Sequence, residues 1–156
     1  MFEVTGYGRA HLPGVLALCT AEGWLSLPAD PQRANRVLSA PGVTTVVAVA
    51  AQTGDVVGFA ELLSDGELQS YLANLLVGVS WRGRGVARVL VAEALRQAGG
   101  ERVDLLSEDA AVGFYQALNH REKRGFRLYP PFTPGTRSAS CPGRNDCMRQ
   151  DRLHER

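Results

Sequence analysis

At 156 residues the chain has room for one domain with a real core and not for two. Its 17 basic and 16 acidic residues leave a formal net charge of +1, and the basic ones, all arginine but Lys123, are scattered rather than striped, which argues against nucleic acid as a partner. No window approaches the roughly 18 to 20 apolar residues of a membrane span, and Met1-Phe2-Glu3-Val4 lacks the basic segment and apolar core of a secretion signal. A soluble cytoplasmic protein with no membrane or nucleic-acid partner is expected. Three cysteines, Cys19, Cys141 and Cys147, are an odd number and suit free thiols in a reducing compartment. Cys141 and Cys147 have only His154 near them and no Cys-x2-Cys partner, so no metal site is expected.

In chain order, Phe2 to Tyr7 suits a first strand, and a helix follows near Pro13 to Glu22, closed by Gly23. Asp30 can cap a second helix with Pro31 at its first position, and Pro41 stops it. Thr44 to Ala51 and Val56 to Leu63 are β-branched and apolar around Gln52-Thr53-Gly54-Asp55, the pattern of a hairpin. Ser64-Asp65-Gly66 turns the chain into a further strand from Leu68 to Val79. After Gly85 the period becomes helical: Ala87, Leu90, Val91, Ala94, Leu95 and Ala98 share a face, and Gly99-Gly100 supplies the stop. Arg102 to Leu106 predicts a strand, Ala110 to Leu118 a short helix, and Gly125 to Tyr129 a last strand. The sum is a mixed α/β sheet: antiparallel N-terminal strands, then strand-helix-strand-helix-strand, with helices on both faces. Residues 1–132 form the expected domain. From residue 133 the prolines and glycines Pro134-Gly135 and Pro142-Gly143 predict a flexible tail.

The richest stretch runs from Val77 to Ala87, where an apolar strand enters a loop of small residues and leaves it as a helix. The first turn of a helix has unpaired N–H groups and a partial positive charge, so it favours an anion. Gly83 and Gly85 leave its approach open, and Arg82 and Arg84 add charge. A P-loop would need Gly-x4-Gly-Lys-Ser/Thr, which is absent. A dinucleotide fingerprint finds Gly83 and Gly85 but meets Arg88 at its third small position.

What fits is Arg-x-x-Gly-x-Ala, here Arg82, Gly85 and Ala87, after the strand Leu75-Leu76-Val77. It resembles motif A of the GNAT (GCN5-related N-acetyltransferase) superfamily. The aromatic pair Phe114-Tyr115 followed by Gly125-Phe126 resembles motif B, so the likeness spans about residues 2 to 129. Many relatives separate the aromatic pair from Gly-Phe by two or three residues, whereas here Gln116 to Arg124 intervene.

The resemblance implies a GNAT acyl-CoA N-acyltransferase fold and acetyl-CoA as cosubstrate, with no metal. It places the pyrophosphate on Arg82, Gly83, Arg84, Gly85, Val86 and Ala87 and the pantetheine arm along Leu75, Leu76 and Val77. The implied reaction moves an acetyl group to a primary amine of a small molecule or a protein; the alternative is a non-catalytic acyl-CoA-binding regulatory module. A homodimer is compatible with either. Acetyl transfer needs a polarised thioester carbonyl, a base for the amine and an acid for the departing thiolate. Amides near Leu76 and Val77 can serve the first need. Tyr115 matches the residue that the family often sets beside the CoA sulfur, and is the candidate acid. Glu61 is the candidate base; alternation sets it on a face with Val57, Phe59 and Leu63, where burial would raise its pKa. His120 is a weaker candidate for the same role. Tyr71 and Asn74 could line the acceptor site, and alternation puts them on opposite faces.

Overall fold

The computed structural model describes residues 1–129, in two compact units, residues 1–105 and 106–129. The first unit holds β1 (Phe2–Gly6), α1 (Leu12–Ala21), α2 (Pro31–Leu38), β2 (Val43–Ala50), β3 (Val56–Ser64), β4 (Gln69–Val77), α3 (Val86–Ala98) and β5 (Arg102–Asp104). The strands form one sheet in the order β1-β2-β3-β4-β5, antiparallel through β4, with β5 joined parallel to β4. Four consecutive antiparallel strands cost only short turns, whereas the parallel β4–β5 pair needs a crossover, and α3 is that crossover.

Val46, Val47 and Ala48 are all fully buried, which a strand achieves only when both faces of its sheet are covered. On one face Val15, Leu18 and Cys19 of α1 and Leu38 of α2 pack on Val47, Phe59 and Leu76. On the other, α3 buries Val86, Leu90, Val91 and Ala94. Gly58 sets how close α3 lies, because a Cβ there would stand 3.0 Å from Leu90 Cδ1 and 3.0 Å from the Leu76 carbonyl oxygen. Burial pushes the Cys19 thiol up to about 11, so this cysteine stays a protonated core residue.

The local stop and start signals act as expected. Asp30 accepts the Arg33 amide at 2.9 Å to cap α2, with Pro31 at its first position. Gly23, at φ 77°, ends α1. At the β3–β4 turn, Asp65 Oδ1 accepts the amides of Glu67, Leu68 and Gln69 at 2.8–3.0 Å, and these bonds hold its carboxyl below the usual range.

The second unit departs from expectation. In place of a helix over 110–118 there is a 3-10 turn, Asp109–Ala111, and a five-residue helix, α4 (Val112–Gln116). Val112 and Gly113 are poor helix formers, and the chain turns polar beyond Leu118. Residues 125–129 form no strand. Phe126 and Leu128 alternate as a strand would, but at 83% and 69% exposure neither has a face to bury against. The predicted tail from residue 133, with Cys141, Cys147 and His154, lies outside the described residues. Among those described, no helix is long and apolar enough to cross a membrane, and no three His, Cys, Asp or Glu side chains gather as a metal site.

Candidate active site

The site is built where β4 gives way to α3. β5 pairs with β4 only at Gln69, Ser70 and Tyr71, so from Leu72 to Val77 the outer edge of β4 has no strand partner among the described residues. Its inner edge stays paired, with Leu75, Leu76 and Val77 opposite Ala60, Phe59 and Gly58. The chain then makes a 3-10 turn, Val79–Trp81, passes Arg82 and Gly83, and enters α3 with Gly85 at the cap position. Gly83 and Gly85 have φ of 72° and 80°, in the left-handed region that side chains disfavour, and a Cβ on either would meet nothing within 4 Å. Their requirement is therefore one of backbone shape. Among the described residues no side chain caps α3 at Gly85, and its helical bonding begins with the Val89 amide on the Gly85 carbonyl at 3.2 Å. The preceding amides are left for an outside acceptor, with the dipole of a 13-residue helix behind them.

Both loop arginines are engaged within the protein. Arg82 Nε donates to the Val77 carbonyl at 3.0 Å, and its Nη2 pairs with Glu22 Oε2. The Arg84 guanidinium lies 5.3 Å from the centre of the Trp81 ring, which meets Phe2 edge-on at 6.4 Å. The sequence suggests free positive charge in front of the helix; the structure pairs Arg82 with Glu22 and lays the exposed Arg84 over Trp81. Glu22 itself escaped sequence analysis. Its one local signal is an acid at a helix C-terminus, where the dipole disfavours negative charge.

On the α1 face of the sheet, Thr45, Glu61 and Asn74 stand in one row across β2, β3 and β4, next to the apolar row Val47, Phe59 and Leu76. Glu61 is 3% exposed, and Asn74 Nδ2 donates to its Oε2. Burial raises the carboxyl pKa and the Asn74 bond opposes that rise. No salt bridge reaches Glu61 among the described residues. The Thr45 hydroxyl, also buried, has no hydrogen-bond partner among the described residues. A carboxylate in this setting, kept from water and without a cation among the described residues, gains proton affinity.

The strand register corrects two expectations. Glu61 pairs with Asn74 but Leu62 pairs with Leu72, so Ala73 is an extra residue, a β-bulge that resets alternation along β4. Tyr71, opposite Leu63, and Asn74, opposite Glu61, therefore share a face instead of standing on opposite ones. A second register shift, between Ala48 and Val49, removes Val57 from the alternation that linked it to Glu61. Strict period-two reasoning fails wherever a bulge intervenes.

In the second unit, Phe114 and Tyr115 meet edge to face at 5.0 Å on α4, and burial raises the Tyr115 phenol pKa. His120 is exposed, with Nδ1 2.9 Å from the Leu118 carbonyl oxygen and Nε2 4.0 Å from Glu122.

The sequence profile of the Acetyltransferase (GNAT) family matches residues 13–120. No curated protein matches the chain in sequence. Among solved structures, an acetyltransferase of Trypanosoma brucei is 23% identical, with a TM-score of 0.67 over 83% of this chain and 99% of that one. A Deinococcus radiodurans protein assigned as an acetyltransferase is 28% identical, with a TM-score of 0.66 over 83% and 88%. AAC(6')-Iy, in complex with the bisubstrate analogue CoA-S-monomethyl-acetylneamine, is 20% identical, with a TM-score of 0.69 over 85% and 99%.

Proposed function

Because the chain belongs to the GNAT family of acetyltransferases, we propose that it transfers an acetyl group from acetyl-CoA to a primary amine of a small molecule or a protein. One observation carries this reading: an uncapped α3 N-terminus behind two left-handed glycines, placed where β4 has lost its outer neighbour. The loop suits a pyrophosphate, since the first turn of α3 favours an anion and the space beside Gly83 and Gly85 is open. The unpaired edge of β4 at Leu75, Leu76 and Val77 suits an extended pantetheine arm, which can take strand-like hydrogen bonds. That a structural neighbour, AAC(6')-Iy, is found with CoA supports the cosubstrate.

Two side chains carry the proton traffic in this proposal. Glu61 accepts the proton of the attacking amine, and its burial supports the role by raising proton affinity toward neutral pH. Tyr115 returns a proton to the CoA thiolate; burial raises the phenol pKa, which favours the protonated form that this role needs. The acceptor belongs to the same proposal at the level of a primary amine.

A thermal-shift screen tests the cosubstrate. Acetyl-CoA at a hundredfold excess over its dissociation constant should stabilise the fold by about 2.7 kcal/mol, while NAD and ATP should not. Equal shifts with NAD would return the loop to the dinucleotide reading. Free-thiol release across an amine panel then tests transfer.

A further inference from the structure

Glu22 stands where helix electrostatics disfavour it. It closes α1 at φ −95° and ψ 5°, directly before the left-handed Gly23, and the last turn of α1 contains no basic residue to offset it. An acid placed against a helix dipole and yet largely buried has its compensation elsewhere. Here the compensation lies 57 to 60 residues along the chain. Glu22 Oε1 accepts the Val79 amide at 2.8 Å and Oε2 pairs with Arg82, whose Nε reaches back to the Val77 carbonyl. The Glu22 side chain is only 12% exposed against 55% for Arg82, so the carboxylate is the anchored partner. Gly78 is a separate sign of the same close approach. A Cβ there would come within 3.2 Å of Leu18 Cδ1 and 3.9 Å of Glu22 Oε1, so the end of α1 sits against a bare backbone.

We propose that Glu22 is a positioning residue for CoA: acting through Arg82 and the Val79 amide, it holds the root of the 82–87 loop in its anion-binding shape. The inference rests on the reading of that loop as the pyrophosphate site. The loop's own glycines have nothing within 4 Å of their would-be side chains, so little holds the loop from the outside. Its order must come from where it is rooted. Glu22 and Arg82 together are close to neutral, so the pair adds little field at the phosphate; what it supplies is preorganisation, which lowers the ordering cost of binding. Arg82 on this account is a strut and not a phosphate ligand.

Titration calorimetry on the full chain, with CoA and with pantetheine, tests the proposal in Glu22→Ala, Glu22→Gln, Arg82→Ala and the Glu22→Ala/Arg82→Ala double variant. Glu22→Ala should weaken CoA about tenfold, the worth of one charge-assisted hydrogen bond, and leave pantetheine unchanged because it lacks the pyrophosphate. Arg82→Ala should cost a similar factor, and the double variant no more than either single one. Glu22→Gln keeps an oxygen for the Val79 amide, so it should lose less than Glu22→Ala, and it carries the comparison if the alanine variant fails to fold. Unchanged or tighter CoA binding in the glutamine and alanine variants, additive losses in the double variant, or an equal loss for pantetheine would each overturn the strut. Failure of the unaltered chain to bind CoA would instead remove the pyrophosphate reading itself, and the strut with it.

Discussion

Gly85 offers the sharpest test of the anion site, because two different penalties meet there and can be separated. Its φ of 80° is left-handed, so any side chain strains the backbone by roughly 1–2 kcal/mol. In a chain of this size that should lower the melting temperature by about 2–4 °C per kcal/mol. The space beyond it is open, so a side chain has room to stand in front of α3. Gly85→Ala therefore isolates strain. Gly85→Glu adds a carboxylate where the pyrophosphate would lie. At about 5 Å, a pair of like charges costs about 1 kcal/mol in water-like surroundings and about 3 kcal/mol at an effective dielectric constant near 20. Affinity should fall at least tenfold further than in the alanine variant, and less so at high salt. Calorimetric titration with CoA at two ionic strengths, alongside circular dichroism melts, reads both penalties. Equal melting temperatures for the two variants, with CoA affinity lost only in the glutamate one, would confirm the separation. A folded Gly85→Glu protein with wild-type CoA affinity would place the phosphate elsewhere.

Tyr115→Phe should lower the single-turnover rate by about 10² to 10⁴ while acetyl-CoA affinity stays constant; a wild-type rate would remove the phenol from the mechanism. The Glu61 carboxyl, whose folded pKa burial lifts above the ordinary glutamate value of 4.5, favours the folded state fully below that value, and the contribution is lost as pH rises through the folded pKa. Glu61→Gln should therefore flatten the fall in stability above pH 4.5 and leave the protein more stable than wild type at pH 7, measured by urea melts from pH 4 to 8; parallel pH profiles would contradict the burial argument. Leu90→Ala, at a fully buried position under α3, should cost about 2–5 kcal/mol in the same melts, and a loss below 1 kcal/mol would mean that α3 is not seated on Gly58.

The elements whose causes are local were legible in the sequence. Asp30, Pro31 and Gly23 mark helix ends through caps and backbone freedom that depend on a few neighbouring residues, and the structure uses each as expected. The loop from Arg82 to Ala87 was legible for the same reason, since glycine spacing and helix onset sit within one short window. Where the cause lay in another strand, the sequence could not show it. The Ala73 bulge depends on how β4 meets β3, and it changed which side chains share the face with Glu61. Likewise the apolar alternation of Phe126 and Leu128 implies a strand only if a surface exists to receive it.

Charge followed the same division. A one-dimensional reading sees the sign of Arg82 and Arg84 and their distance from the glycines, but not that Glu22 and Trp81 engage them. Arg82 shares its charge with Glu22 while the exposed Arg84 keeps its own, so the amides and dipole of α3 supply the part of the attraction that does not depend on either side chain. Backbone amides survive every substitution except one to proline, and this orders the expected sensitivities. Reshaping the loop at Gly85 should damage binding most, loosening its root at Glu22 less, and removing any single arginine charge should act through the loop's conformation. On the strut proposal the acid at the end of α1 and Arg82 beside the glycines act as one device, and the violation of helix electrostatics at Glu22 is the part of it that sequence alone could have flagged.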